Sequence, residues 1–284
     1  MKNSLFALAV LVFLSACQKE VSSENPDGTP GTGPVPPPAT TAGLLTRMVS
    51  VAGGDSVMVD YGYDANKRLA TFDYKTTGTE FRFRRIFRNS AGIMTQFNSK
   101  GDDLSGIGID SVITILSYNA GQARYTHGIT IYAVSGVSLR DSTVYVYDNA
   151  GNLTVKRSYA TVLPAPYQEY QKTEYTYASG NVTSEKYYTS NNAGGWDLEY
   201  TYNYGYDSKV NPAKFGPEGM IVLEDASYFS NNNKSGVNYI DGADASYNFS
   251  QAYTYTYNAA NKPAGGTVVE TPGSGSYTIR YYYN

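Results

Sequence analysis

The sequence predicts an all-β protein, a repetitive array of antiparallel β-hairpins that forms an extended, twisted, tyrosine-rich sheet. Three observations lead to this prediction. Tyrosine far outnumbers the other aromatic residues, with 29 copies against ten phenylalanines and one tryptophan among 284 residues. The tyrosines recur at alternate positions, and one motif recurs at a nearly constant interval. Tyrosine favours strands because its ring packs well on a pleated surface.

The first residues have the organisation of a bacterial export signal. Lys2 precedes an apolar run of about ten residues, too short to cross a membrane core but of the usual length for a signal peptide. Residues 1–16 are therefore predicted to be a signal peptide that is removed during export.

The end of this segment, Leu14-Ser15-Ala16-Cys17, resembles a bacterial lipobox. The resemblance implies that Cys17 becomes the mature N-terminus and carries acyl chains, which together give lasting membrane anchorage. Gln18-Lys19-Glu20 is similar to the surface-export signals of Bacteroidota lipoproteins, which implies an outer-membrane protein that faces the cell exterior. The alternative is an ordinary cleaved signal in which Cys17 has no role.

Residues 17–43 are predicted to form the lipidated N-terminus and a tether. Six prolines stand between positions 26 and 38, mixed with glycine, serine and threonine, and no apolar period runs through the segment. Such a composition is typical of a disordered, partly extended spacer. It would hold the following domain, residues 44–284, clear of the membrane surface. A plain interdomain linker predicts the same behaviour.

Strands that end in tyrosine and a turn repeat along this domain. Successive copies of the tyrosine are separated by 29, 30 and 29 residues, at Tyr118, Tyr147, Tyr177 and Tyr206. A fixed period of this size marks a repeat architecture. The clearest copies continue with Asp or Asn, two variable residues and Gly, Asn or Lys, which suits a turn with left-handed backbone positions.

The spacing within each copy is that of strands. Tyr200, Tyr202 and Tyr204 occupy alternate residues, which places their rings on one face of a strand. Each repeat is therefore predicted to be a β-hairpin. A single hairpin is only marginally stable in water, so we expect the hairpins to pair edge to edge.

The segment from Tyr147 to Leu153 resembles the YD (Rhs-type) repeat, whose core is Tyr-Asp-x-x-Gly-x-Leu. Most of the chain from Leu44 to Asn284 is similar to a group of uncharacterised Bacteroidota lipoproteins built from degenerate copies of such hairpins. The resemblance implies a surface lipoprotein with a repetitive β-sheet domain.

One interval breaks the period, because Tyr206 and Tyr257 are 51 residues apart. Pro212 and Pro217 mark the start of the break. We predict an insertion at about residues 215–245 that caps the sheet or covers one face, with a short helix or a buried strand at residues 217–225. Long insertions in a repeat scaffold often carry function, so this one is a candidate functional segment. The simpler interpretation is that it only covers tyrosine rings with apolar surface.

Arg82, Arg84 and Arg88 are a first candidate group for ligand binding. They alternate with phenylalanines and therefore share one face of a strand. This face either binds an anionic ligand, such as an acidic glycan or a lipid headgroup, or is a solvated face paired with acids on neighbouring strands.

Trp196, with Tyr200, Tyr202 and Tyr204, is a second candidate group. The tryptophan precedes a predicted strand in a glycine-rich loop. Together these rings would stack on the faces of sugars; the alternative is that Trp196 covers the hydrophobic edge of one hairpin.

Three Asp-Ser pairs are similar to the O-glycosylation sequon of Bacteroidota, which implies modification of Ser56, Ser111 and Ser142. Asp-Ser is also ordinary turn chemistry before a strand, and both interpretations stay open.

The sequence offers little for catalysis. His127 is the only histidine, so every histidine-dependent triad would need it, and the only cysteine is assigned to lipid. The acid pairs Asp102-Asp103 and Glu224-Asp225 are adjacent and would point to opposite strand faces. No phosphate-binding glycine loop or calcium loop is present. A net charge of −3 gives no basic field for nucleic acid. We predict no catalytic residue, metal, cofactor or nucleic-acid partner.

Three functional hypotheses remain. The first is a non-enzymatic, membrane-anchored binding or scaffold module with a glycan or protein ligand. The second is a polysaccharide hydrolase of the cell envelope, which would require carboxylates that converge. The third is an Rhs-like shell or toxin-associated protein, which would require a sheet closed around a cavity, whereas a short repeat array favours an open sheet.

Overall fold

Sixteen antiparallel strands make up most of residues 43–77, 79–101, 109, 111–134, 137–161, 167–191, 193–273 and 275–284, the residues that this computed structural model describes. The predicted signal peptide, Cys17 and all of the tether except Gly43 lie outside the described residues. The strands are β1 (Leu45–Ala52), β2 (Asp55–Tyr63), β3 (Leu69–Thr76), β4 (Thr79–Arg88), β5 (Met94–Gly101), β6 (Val112–Asn119), β7 (Arg124–Val134), β8 (Val137–Tyr147), β9 (Leu153–Thr161), β10 (Gln168–Ala178), β11 (Asn181–Ser190), β12 (Trp196–Val210), β13 (Asn232–Asp241), β14 (Phe249–Tyr257), β15 (Pro263–Thr271) and β16 (Ser276–Tyr283). Helix α1 spans Gly216–Leu223, and short 3-10 turns span Ala120–Gln122, Ala226–Tyr228 and Ala245–Tyr247.

The sheet closes on itself. Each strand pairs with its neighbours in sequence, and β1 also pairs with β16, which completes a barrel. The prediction of an all-β array of antiparallel hairpins is confirmed, whereas the prediction of an extended open sheet is wrong. Alternation and turn residues act locally and specify each hairpin. No local signal specifies how many hairpins the accumulated twist needs before the two edges meet.

Because consecutive strands run in opposite directions, their connections lie alternately at the two ends of the barrel. Connections that follow even-numbered strands lie at one end, the motif end, where most of the repeated turns occur. Connections that follow odd-numbered strands lie at the other end, the far end. The chain enters the barrel at the motif end, where the backbone N–H of Asn284 donates to the carbonyl oxygen of Leu44 at 3.2 Å.

The repeated turn has one geometry. The N–H of Asp148 donates to the carbonyl of Asn152 at 3.0 Å, and Oδ1 of Asp148 accepts from the N–H of Asn152 at 2.9 Å. Gly151 has a φ of 85°, so the predicted left-handed position is confirmed. The same bonds recur in the turns that begin at Asp64, Asn89, Asn191 and Asn258, with left-handed residues at Lys67, Gly92, Gly194 and Asn261.

Several of the strand-end tyrosines bond to the backbone of the preceding strand, although Tyr147 does not. The hydroxyl of Tyr177, near the end of β10, donates to the carbonyl of Leu153 at the start of β9 at 2.7 Å. Equivalent bonds join Tyr63 to Leu45, Tyr206 to Val182 and Tyr283 to Pro263, and Arg88 replaces the tyrosine in bonding the carbonyl of Leu69. The hydroxyl gives the motif tyrosine a role that phenylalanine could not fill.

The tyrosine face of the sheet is the inside of the barrel. Tyr61, Tyr125, Tyr145 and Tyr175 are buried there, and they share one core with the apolar residues Leu45, Met94, Leu153 and Val182 near the motif end. Burial of apolar ring and aliphatic surface is the main favourable contribution to such a core.

Residues 211–231, between β12 and β13, fold into the motif end of the barrel and are called the plug below. The second half of its helix α1 is buried, with Met220, Ile221, Val222 and Leu223 all in the core. Because these four consecutive apolar residues cover every side of one helical turn, this turn must be enclosed, and here the barrel wall encloses it. Of the two predicted forms for residues 217–225, the helix is present. The predicted insertion range of about 215–245 resolves into the plug, strand β13 and the turn at Ala245–Tyr247.

Candidate functional site

The plug is held inside the barrel by a buried ion pair. Arg88 of β4 donates to Glu218 of α1 through two nitrogens, at 2.8 and 2.5 Å, and the hydroxyl of Tyr125 donates to the same carboxylate at 2.6 Å. The side chains of Arg88 and Glu218 are only 8% and 15% exposed. A bidentate pair of this kind fixes orientation as well as position.

Two more acids of the plug meet cations of the wall. Nζ of Lys156 lies 2.7 Å from Glu224, and Nη2 of Arg84 lies 4.0 Å from the same carboxylate. Nζ of Lys234 lies 3.5 Å from Asp225. Three acids of one short segment thus face cations on β4, β9 and β13.

The predicted shared face of Arg82, Arg84 and Arg88 points into the barrel. Arg82 and Arg84 are each 4% exposed, so the interpretation of a solvated strand face is wrong. Arg84 and Arg88 meet Glu224 and Glu218 of the plug, and Nε of Arg88 also lies 3.9 Å from Asp64 in the turn between β2 and β3. Sequence reasoning missed the acids of the plug because Glu218 is 130 residues away from Arg88 along the chain.

A buried carboxyl group lies beside this network. Glu185 of β11 accepts a hydrogen bond from the hydroxyl of Tyr204 at 3.1 Å. The pKa of Glu185 is raised to about 7: burial is the largest cause, Asp225 and Glu224 also raise the pKa, and Lys156 and the Tyr204 hydroxyl lower it. Carboxylates therefore do approach one another here, as the hydrolase hypothesis requires, but Glu224 and Asp225 are occupied by cations that dock the plug.

Nearer the far end, the inner face carries a row of aromatic rings on four adjacent strands, which we call the aromatic row. It consists of Tyr187 on β11, Tyr200 on β12, Tyr239 on β13 and Phe249 on β14, with successive ring centroids 4.8, 5.8 and 4.9 Å apart. The first and last pairs are nearly parallel, at 9° and 17°. All four side chains are half-buried.

Polar acceptors accompany the aromatic row. Oε1 of Gln171 accepts from the hydroxyl of Tyr187 at 2.6 Å, and Asp241 accepts from Tyr239 at 3.0 Å. Further along the wall, Asp141 accepts from the hydroxyls of Tyr132 and Tyr170 at 3.0 and 3.2 Å. Burial raises the pKa of Asp141, and both tyrosine hydroxyls counteract this shift.

Trp196 does not join the tyrosines with which it was grouped. A β-bulge in β12 places Tyr200 opposite Tyr187 but Leu198 opposite Tyr188, so residues before the bulge change face. Tyr200, Tyr202 and Tyr204 point inward, whereas Trp196 lies on the outer face. Nζ of Lys172 stands over its ring, 5.1 Å from the centroid.

The three candidate glycosylation sites differ in exposure. Ser56 on β2 is half-buried, Ser111 is 2% exposed, and Ser142 is 9% exposed. Oγ of Ser142 lies 2.7 Å from Nε2 of His127, the only histidine, which stands on the same outer face. Because Ser111 and Ser142 are covered in the folded barrel, their glycosylation would have to precede folding.

The described residues lack both a metal-binding cluster and a membrane-spanning helix. Histidine, cysteine and acidic side chains in this part of the chain form no group of three that could hold a metal ion. No helix among the described residues is long and apolar enough to cross a membrane.

Together the fold and the interior define a class, a closed antiparallel barrel that one segment of its own chain plugs at one end. The chain is similar to a porin-like protein from Bacteroides uniformis ATCC 8492, with 12% sequence identity, a TM-score of 0.52 and coverage of 84% of this chain and 96% of that chain. It is also similar to a porin-like protein from Bacteroides vulgatus ATCC 8482, with 12% identity, a TM-score of 0.51 and coverage of 86% and 99%. At this identity the likeness shows the fold alone.

A third similar structure is described as TcdB2-TccC3-Cdc42, with 14% identity, a TM-score of 0.29 and coverage of 83% of this chain and 14% of that chain. A TM-score this low supports no argument. No protein-family model matches the chain, and no curated protein matches it.

Proposed function

We propose that this protein is a non-enzymatic binding module, lipid-anchored to the outer membrane through Cys17 and facing the cell exterior, with its barrel in water outside the bilayer. The single observation that carries this proposal is the charged outer face of the strands. The porin-like name of the similar structures supplies the competing candidate, a barrel that spans the membrane.

The outer face carries ion pairs on the strands themselves rather than only on their connections. On β1 to β3, Arg47 and Lys75 both pair with Asp60, and on β3 and β4, Arg85 pairs with Asp73. A barrel that spans a membrane needs an apolar outward band, and each Arg or Lys near the bilayer midplane costs about 2–4 kcal/mol. These residues therefore favour contact with water.

The opposite side of the barrel has the same character. Arg157 pairs with Glu169 and Lys172 pairs with Glu174 on the outer face of β9 and β10. Exposed polar residues continue around the wall at Lys186, Thr254, Thr267, Thr278 and Arg280. Ile115 and Val146 expose apolar surface on β6 and β8, but the charged residues interrupt any continuous apolar band.

The plug and the tether fit the same proposal. The plug occupies the motif end, so the barrel is not a straight open channel. Closure is the geometry that the shell hypothesis requires, but the chain's own segment takes up that part of the interior. A flexible tether of residues 17–43 has a mean span of about 30 Å, enough to hold the barrel beyond the headgroups.

Fractionation of cells that express the full chain tests this proposal. The wild-type chain is expected in the membrane fraction and, because it faces outward, to be cleaved by protease added to intact cells. Cys17→Ala should move the folded barrel to the soluble fraction, whereas the neighbouring Ser22→Ala should not. Retention in membranes, after alkaline carbonate washing, of Cys17→Ala chain that has lost residues 1–16 would show that the barrel itself is inserted. Protection of the wild-type chain from protease would overturn the outward orientation.

A further inference from the structure

We propose that the aromatic row, Tyr187, Tyr200, Tyr239 and Phe249, binds a neutral saccharide inside the far end of the barrel. This inference rests on the proposed function, because it names the ligand class of the same binding module. A saccharide presents apolar C–H faces and many hydroxyls, so its site needs aromatic surface with a few convergent hydrogen-bonding groups.

The aromatic row supplies the apolar part of such a site. Its rings follow one another across four strands, so they form one continuous surface rather than isolated contacts. All four residues face inward and are only half-buried, so each keeps some accessible surface. A row of several rings matches an oligosaccharide better than a single sugar.

The hydrogen-bonding groups stand beside the rings. Gln171 and Asp241 already bond the hydroxyls of Tyr187 and Tyr239, which fixes their orientation. Asp241 also accepts from the backbone N–H groups of Ala243 and Asp244 through Oδ1, and since an ionised carboxylate can accept about four hydrogen bonds, Oδ2 keeps capacity for one ligand hydroxyl. The hydroxyl of Tyr200 makes no hydrogen bond to any part of the chain that the structure describes, and it is free to bond a ligand.

The charges of the interior select a neutral ligand. Arg88, Lys156 and Lys234 are occupied by acids of the plug. Asp241 is the charged side chain that bonds to the aromatic row, and the cation that acts on a ring of the row, Lys156 on Tyr187, is paired with Glu224 of the plug. The partners of Asp141 on the wall are tyrosine hydroxyls rather than cations. An acidic sugar would bring a second negative charge to these carboxylates in a partly desolvated site, which is unfavourable.

The position of the anchor places this site at the end of the barrel that is farther from the membrane. Leu44 lies at the motif end, beside Asn284, so the tether leaves the barrel at the plugged end. The aromatic row lies toward the opposite end, which therefore points away from the anchor.

Isothermal titration of the full mature chain carrying Cys17→Ala tests the inference directly. The probes are neutral oligosaccharides of glucose, mannose and galactose, with oligogalacturonate as the acidic comparison. Tyr200→Ala should weaken binding by about three- to tenfold, the range of one aromatic contact. Tyr200→Phe keeps the ring and loses the hydroxyl, so it separates loss of binding from loss of folding. Tyr188→Ala, on the outer face of β11 beside Tyr187, is the matched control and should leave the affinity unchanged.

Binding of neutral probes that falls in both Tyr200 variants and persists in Tyr188→Ala supports the inference. Absence of binding to all neutral probes, a preference for oligogalacturonate, or an equal loss in Tyr188→Ala would each overturn it. Capture of a protein partner by a chain that binds no saccharide would also overturn it. None of these results bears on the anchor, because membrane fractionation tests the proposed function independently.

Discussion

Replacing Glu218 by glutamine should destabilise the barrel far more than breaking an ion pair on its outer face. Glutamine keeps the shape of the side chain but removes the charge that faces Arg88, whose guanidinium is 8% exposed. Breaking one partner of a buried pair costs about 3–5 kcal/mol because a buried charge is left uncompensated. Arg88 keeps its bonds to the carbonyls of Leu69 and Gly92, so we expect the lower end, about 3 kcal/mol.

Urea unfolding at pH 7, followed by circular dichroism, measures this loss as a lower transition midpoint. For a domain of this size about 3 kcal/mol corresponds to a fall of roughly 6–12 °C in Tm. The matched control is Asp60→Asn, which breaks the exposed pairs with Arg47 and Lys75 and should cost less than about 1 kcal/mol. If Glu218→Gln cost no more than this control, the plug would not be held by its buried ion pair.

Three further predictions concern single residues. The pKa of Glu185 is raised from 4.5 to about 7, so the unfolded chain loses this proton at lower pH than the folded chain, and the free energy of unfolding declines as pH rises between these values. Glu185→Gln should remove about 3 kcal/mol of that decline. Parallel plots of unfolding free energy against pH for the wild type and the variant would contradict this. Gly151→Ala places a Cβ at a residue with φ 85° and should lower the free energy of unfolding by about 1–2 kcal/mol, measured by thermal unfolding. Lys67→Gly, at φ 61° in the equivalent turn, should leave the stability unchanged or raise it. A larger loss from Lys67→Gly than from Gly151→Ala would refute the requirement for a left-handed residue in this turn. Tyr177→Phe leaves the carbonyl of Leu153 without its hydroxyl donor and should cost about 1–3 kcal/mol in urea, and a neutral effect would show that this bond contributes little.

The local features of the fold could be predicted from the sequence because each depends on neighbouring residues. The turn at Asp148 closes with bonds to residues three and four positions later, so its composition is sufficient to recognise it. The helix at residues 217–225 was one of two forms consistent with a short apolar run. The shared face of Arg82 and Arg84 follows from strand alternation alone.

The remaining features depend on contacts between distant parts of the chain. Closure requires β1 to meet β16, and the plug requires Arg88 to meet Glu218, and neither partner is marked in the sequence. Trp196 was assigned to the wrong group because one bulge residue reversed the alternation that held for Tyr200 onward. A period-two pattern predicts which residues share a face only as long as the register is unbroken.

The pairing of β1 with β16 also constrains how the protein can be made. Until β16 has been made and has paired, β1 has no hydrogen-bonded neighbour on one side. The incomplete sheet then has two unpaired edge strands and an exposed tyrosine-rich face. The whole chain must therefore be present before the barrel can close. A truncation that removes only β16 should yield aggregated protein rather than a soluble protein of slightly lower stability. The unpaired edge strands of an incomplete barrel can pair with those of other copies of the chain.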